Sequence, residues 1–171
     1  MALQLMAQQH VEAMRLMDLQ SKQLRAALLK LFHTLPEAPY LLPIQGLTAP
    51  SALGLVAYTG DLREYHCGGA LIKLAGTQPT PNTSGRKTYS ATPFSHQGKS
   101  GLRTVLYFIT LRLITQNDAL AYHYQRLTSR TEHALPKMQA IGACMNKLLW
   151  YVWHVAKRRE MYDLHRWRTL Q

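Results

Sequence analysis

The chain has 171 residues, 47% hydrophobic and only 17% charged, which gives enough apolar material for the core of one ordinary domain and excludes an intrinsically disordered chain. Its 20 Lys and Arg against 9 Asp and Glu leave a formal net charge of +11, which points to a polyanionic partner such as nucleic acid or an anionic membrane surface. Residues 1–83 hold six Lys/Arg and five Asp/Glu, whereas residues 84–171 hold fourteen and four, so the second half carries nearly all the excess.

From Ala7 a 3-4 alternation runs through Ala7, His10, Met14, Met17, Ser21, Leu24, Leu28, Leu31 and Leu35. That spacing predicts one long amphipathic helix. Pro36 and Pro39 end it, because proline lacks the amide hydrogen and its ring clashes with the preceding turn. Over about four heptads the stripe reads either as a coiled-coil seam, with His10 and Ser21 setting register or oligomer state, or as a helix packed on its own domain. Residues 1–36 are expected to form a coiled-coil-like linker helix, with homo-oligomer contacts through residues 7–35.

Residues 40–62 pair the turn Ile44-Gln45-Gly46 with an apolar segment ending at Gly60. This is the pattern of a helix-hairpin-helix, in which a glycine turn brings backbone amides close to a phosphate; glycine turns between helices are also common without any such role. Residues 76–101 are rich in Gly, Pro, Ser and Thr, with cations at Arg86 and Lys87 and again at Lys99 and Arg103. They read as a long functional loop. Gly98-Lys99-Ser100 resembles the end of a phosphate-binding P-loop, but Pro93 stands where the first glycine is needed, and the P-loop reading is rejected.

Beyond the loop, Leu102, Leu106, Ile109 and Leu113 share one helical face. A further helix carries Met138, Ile141, Met145, Leu148, Val152 and Val155 at the same spacing. Other faces interleave Arg103, Arg112, Lys147, Lys157, Arg158 and Arg159 with Tyr107, Trp150, Tyr151 and Trp153, a mixture suited to nucleic acid and equally to a solvated basic face. No strand alternation stands out. The fold is expected to be all-α: a long coiled-coil-like N-terminal helix, a helix-hairpin-helix-like core with a long functional loop over 37–125, and C-terminal helices over 126–171.

Cys67 and Cys144 lack a CxxC partner, and the eight histidines never fall at ligand spacing, so neither a disulfide framework, a zinc site nor any other metal site is expected. No signal segment or membrane-length apolar run occurs, and the chain reads as soluble and cytoplasmic.

Several separated pieces then line up. Ile44-Gln45-Gly46, Gly60-Asp61, Gly76-Thr77-Gln78-Pro79, Ser84-Gly85, Ser95-His96-Gln97-Gly98, Leu102-Arg103 and the later Asn146-Lys147-Leu148-Leu149 follow one another as in a known family. The chain resembles the C-terminal half of insertion-sequence transposases that couple a DEDD, RuvC-like nuclease domain to a serine-bearing transposase domain, relatives of the Piv DNA invertases. Thr77 stands where an apolar residue is usual, and His96 where a lysine is usual.

The resemblance implies DNA transposition or site-specific recombination with Ser84 as nucleophile, forming a phosphoserine link to DNA. A serine needs activation, and the charge developing on phosphorus needs cations. Gly46, Gly85, Arg86, Lys87, Lys99 and Arg103 are the candidate DNA- or RNA-binding residues. The family's metal-binding carboxylates, and with them Mg2+, belong to the N-terminal DEDD domain, which is absent from this chain; alone it is expected to be inactive. A bridge-type guide RNA is a further implied partner. The alternatives are a catalytically inactive DNA- or RNA-binding remnant or regulator, and an unrelated helix-hairpin-helix adaptor. All three readings predict that duplex-DNA affinity falls with salt, log K dropping by about 0.9 per phosphate neutralised. A salt titration of binding checks this, and salt-independent affinity contradicts it.

Overall fold

The computed structural model describes residues 2–80, 83–84, 87–88, 93–161 and 163, with backbone alone at 2, 83–84 and 87–88. The fold is all-α. Helix α1 (Ala2–His33) is built from Ala, Leu, Gln and Met with no internal Gly or Pro, and its 32 residues span about 48 Å. It ends where the Thr34 and Leu35 amides fold back on the Leu31 and Phe32 carbonyls, just before Pro36. Residues 3–27 are exposed along their whole length, and α1 enters the core through Phe32, followed by Leu35 just past its end. Packing on its own domain, one of the two expectations for this helix, therefore holds only at its C-terminal end. Met14, Met17 and Leu24 of the stripe stay more than 60% exposed.

A single turn, α2 (Ala38–Leu41), leads through Ile44-Gln45-Gly46-Leu47 into α3 (Ala49–Thr59). The Leu47 amide closes the turn on the Ile44 carbonyl at 2.9 Å, with Gly46 at φ +87°. A Cβ on Gly46 would lie 2.9 Å from Leu113 Cδ2 and 3.0 Å from Gln116 Cβ, so glycine is required both by the backbone and by the neighbouring helix. A short 3-10 turn over Leu62–Glu64 precedes α4 (Gly68–Ala75). After an excursion described below come α5 (Ser100–Gln116), α6 (Asp118–Thr128) and α7 (Lys137–Arg158). Asn117 joins α5 to α6: its Oδ1 accepts the Leu120 amide at 3.1 Å, and its Nδ2 donates to the Gln45 carbonyl at 3.1 Å, tying the Gly46 turn to the same junction.

The core centres on α5 and α7. Leu102, Leu106, Ile109 and Leu113 are buried as their spacing predicts, and so are Ile141, Met145, Leu148, Val152 and Val155. Each such side chain contributes roughly 1.5–3 kcal/mol on burial. Two expectations on α7 are corrected. Met138 lies in the first turn and is 64% exposed, beyond the reach of the core. Tyr151, grouped with the basic and aromatic faces, is buried, and its hydroxyl donates to the Asp163 carbonyl at 3.2 Å. Among the described residues no helix is long and apolar enough to cross a membrane.

The Gly60-Asp61 pair works locally. Asp61 accepts the Arg63 amide at 2.8 Å and is clamped by the Arg63 guanidinium, Nη2 to Oδ2 at 2.7 Å, while Arg63 Nε lies 3.5 Å from Glu37, whose side chain is 3% exposed. Burial, then a hydrogen bond to Asp61, raises Glu37 above its ordinary value, and the Arg63 side chain holds Asp61 well below the usual carboxylate range. A raised pKa means that protonated Glu37 stabilises the fold at low pH and that this contribution is lost as pH rises through the folded value. The depressed Asp61 contributes above its unfolded value near 3.8 and loses that contribution as pH falls through its folded value. Urea denaturation across pH 3–8 is expected to show Glu37→Gln gaining on the parent as pH rises, and Asp61→Asn losing ground over the same range. Parallel profiles would overturn this account.

Candidate nucleic-acid interface

Helix α4 ends at Gly76 in the left-handed conformation, φ +66°, with its amide on the Ile72 and Lys73 carbonyls. The chain leaves the core here and returns at Gly98. A Cβ on Gly98 would meet the Leu74 carbonyl oxygen and lie 2.5 Å from the Gly76 nitrogen, while a Cβ on Gly76 would lie 3.1 Å from the Gly98 nitrogen. Backbone meets backbone, and the Lys99 amide seals the crossing on the Leu74 carbonyl at 2.8 Å.

Outside this clasp the two arms run antiparallel. The His96 amide donates to the Gly76 carbonyl at 3.1 Å, Ser95 to Gln78 at 2.9 Å and Thr80 to Pro93 at 2.9 Å. Further out, strands β1 (Thr83–Ser84) and β2 (Lys87–Thr88) pair with Ser84 opposite Lys87. The segment expected to be a long loop is thus a ribbon whose described parts pair from its root to Ser84. Ser84 and Lys87 are known by their backbone pairing. Gly85 and Arg86 lie outside the described residues.

The root is also held from below by α7. Phe94 packs where Gly142 has no side chain: a Cβ there would strike its ring. Asn146 Nδ2 donates to the Thr77 carbonyl at 3.0 Å, and the Thr77 amide closes on the Ile72 carbonyl at 3.1 Å. Thr77 is fully buried, so the position where the resemblance has an apolar residue is an interior one. His96 is exposed, with φ +53°.

Two candidate cations stand at this root, and both are engaged with helix ends. Lys99 Nζ donates to the Tyr58 carbonyl at 2.9 Å in the last turn of α3, and Arg103 Nη1 donates to the Ala75 carbonyl at 2.9 Å at the end of α4. Such carbonyls lack a partner within their own helix and carry partial negative charge, so a cation there is stabilising. Neither side chain is neutralised, since an ammonium keeps two further protons and a guanidinium four. Gly46 is not brought to this group. It packs on Leu113 and Gln116 at the far end of α5, about 15–25 Å along the axis from Arg103 and Lys99.

Sequence reasoning missed Phe94 and Gly142 as anchors and quoted Asn146 without a role. A glycine inside an otherwise apolar helix was the available signal for Gly142. Among the described residues no group of three or more His, Cys, Asp or Glu lies together in a way that would hold a metal ion.

The Transposase IS116/IS110/IS902 family model matches residues 38–125, just over half of the 171 residues, from α2 into α6 and including the ribbon. No curated protein matches the chain.

The clasp is tested by paired glycine substitutions. Gly98→Ala must push backbone from backbone and is expected to destabilise by about 2–4 kcal/mol in urea denaturation. In Gly69→Ala the new Cβ meets only Cys67 Sγ at 3.5 Å and Trp150 Cζ2 at 3.9 Å, ordinary contacts inside a helix, so it is expected to be neutral or stabilising by about 0.5–1 kcal/mol. Equal effects would contradict the clasp.

Proposed function

Because the chain belongs to the Transposase IS116/IS110/IS902 family and so has its role in transposition, we propose that it is the DNA-binding, strand-joining part of a transposase, with Ser84 as the nucleophile. The observation that carries this reading is the ribbon. It lies wholly within the matched span and holds Ser84 opposite Lys87 on two arms whose root is fixed by backbone contact at Gly76 and Gly98. A nucleophile acting on a phosphodiester must be held in line with the leaving oxygen, and a fixed root supports that positioning.

In the step proposed, the Ser84 oxygen loses its proton and bonds to phosphorus. The bond from phosphorus to one deoxyribose oxygen breaks, and that oxygen takes up a proton. The DNA strand is left esterified to the protein. Lys87, Lys99 and Arg103, with Gly85 and Arg86, are assigned to holding the phosphate backbone and offsetting the negative charge that develops. Gly46, at the far end of α5, is assigned to a more distant stretch of the same backbone.

The divalent metal implied by the resemblance does not fit the described residues, because they hold no carboxylate cluster and the one close acid pair, Glu37 and Asp61, is already occupied by Arg63. Metal-assisted cleavage is therefore assigned to a DEDD-type domain acting with this one. The exposed stripe of α1 is assigned to a second copy of the chain, and a guide RNA is taken as a further ligand of the basic half.

The test is recombination with a DEDD-bearing partner supplied. Ser84→Ala is expected to abolish strand exchange and the covalent protein–DNA adduct seen on denaturing gels, with DNA affinity within about twofold of the parent. Full recombination by that variant would overturn the assignment of Ser84.

A further inference from the structure

Between α6 and α7, roofed in part by α4, lies an open cleft of about 690 Å3. That is within the range of roughly 300–1,000 Å3 found for small-ligand sites. None of the residues argued for Ser84 chemistry lines it. The face of α7 that forms its floor repeats at 3-4-4 spacing, Lys147, Trp150, His154 and Arg158, and α6 answers with His123 and Arg126 one turn apart.

Three properties of the cleft converge. The first is aromatic. Trp150 lies with its ring against Gly68, where a Cβ would come within 2.7 Å of Cδ2 and Cε3, and yet the residue is 46% exposed. One face is therefore backed by α4 while the side chain still reaches solvent. Trp153 stands edge-on to it, centroids 5.7 Å apart at 89°, and is fixed by its indole N–H on the Tyr65 carbonyl at 2.9 Å.

The second property is electrostatic. Burial, followed by the charges of Lys147, Arg126 and Arg130, pushes His123 down to about 4, and burial together with Arg126 lowers Lys147. Cations are thus crowded at one end of the cleft, an arrangement that an entering anion relieves. Among the described residues Glu160 meets this face at the far rim, 3.7 Å from His154 and 3.9 Å from Arg158. The third is hydrogen bonding: Arg126 Nε and Asn146 Oδ1 are buried with no partner among the described residues, one a donor and one an acceptor.

An aromatic platform beside a cationic end calls for a ligand that is flat and anionic at once. Bases within a duplex have their faces stacked and offer only their edges in the grooves, so a platform of this kind takes an unpaired base. We propose that this cleft binds an unpaired nucleotide of a single-stranded nucleic acid, its base on Trp150 and its phosphate between Arg126 and Lys147. The proposal rests on the reading of the chain as a nucleic-acid binder and names a second site, distinct from the Ser84 ribbon. Neutral His123, which lines the same cleft, is the group offered to a polar edge of the base.

The experiment uses the full chain with fluorescein-labelled 12-nucleotide single strands, DNA and RNA of the same sequence, and the matching DNA duplex, read by anisotropy and tryptophan quenching. Single strands are expected to quench tryptophan fluorescence, and Trp150→Leu to weaken their binding by about tenfold, the scale of one stacked base. Trp150→Phe is expected to keep most of the affinity, and Lys147→Gln to lose about tenfold. Duplex affinity should stay within about twofold throughout. Equal losses on DNA and RNA, or a loss on one alone, both support the cleft and identify the strand it takes. If Trp150→Leu does not fold, Lys147→Gln and quenching of the parent decide. Variants that bind single strands like the parent, or that lose single strand and duplex alike, overturn the cleft while leaving nucleic-acid binding in place. A parent that binds none of the three ligands overturns the nucleic-acid reading itself.

Discussion

The backbone contact at Gly98 governs the arrangement of everything around it. Gly98 lies against Leu74, Ala75 and Gly76 at the end of α4 so closely that no side chain fits between. The chain therefore departs from α4 and arrives at α5 through the same point, and the ribbon between them becomes a lateral excursion instead of a spacer. The C-terminal end of α4 and the N-terminal end of α5 are forced together. Arg103, one turn into α5, then reaches the Ala75 carbonyl, and Lys99, just before α5, reaches the end of α3. Three helix ends thus meet at the root of the ribbon, α4 and α5 in backbone contact because two residues lack a side chain and α3 through the Lys99 bond.

This convergence places charge in a particular way. Lys99, Arg103 and Lys157 all donate to backbone carbonyls, Lys157 to that of Arg63. A carbonyl is a dipole, not a charge, so these bonds fix the cations in space without cancelling them. Arg63 differs, because the Asp61 carboxylate pairs with it directly. At Lys99, Arg103 and Lys157 the positive charge is therefore both retained and oriented. Contacts of this kind serve a polyanion better than free lysines would, since less side-chain entropy is lost on binding.

The long-period features were legible in the sequence. The 3-4 stripes of α5 and α7 marked those helices because periodicity survives wherever one face meets a core; the stripe of α1 marked its helix equally well although it stays exposed, and Pro36 marked the end of α1 through its missing amide. Helices α4 and α6 were missed. α4 is eight residues long and begins Gly68-Gly69, and α6 buries only Ala119, Leu120 and Leu127, so neither writes a readable stripe. The ribbon was read as a loop because its pairing is set by backbone hydrogen bonds at its root, which a run of Gly, Pro, Ser and Thr does not announce. Gly76 and Gly98 were noticed only within motifs. Their joint role depends on a contact across 22 positions, which no local pattern encodes.

Asn146 shows how far such non-local ties extend. Its Nδ2 holds the Thr77 carbonyl at the buried base of the ribbon, and the same residue also lines the cleft between α6 and α7. One planar amide thus forms a wall common to both regions, and Gly142, one turn earlier, receives Phe94 from the ribbon. A planar group bonded on one edge has no freedom to turn its other edge away, so the orientation of Oδ1 is fixed by the ribbon's root. Gly142, Asn146 and Trp150 follow one another at i, i+4 spacing, so the ribbon and the cleft lean on the same side of α7, and a change in the seating of Thr77 or Phe94 must be felt at both.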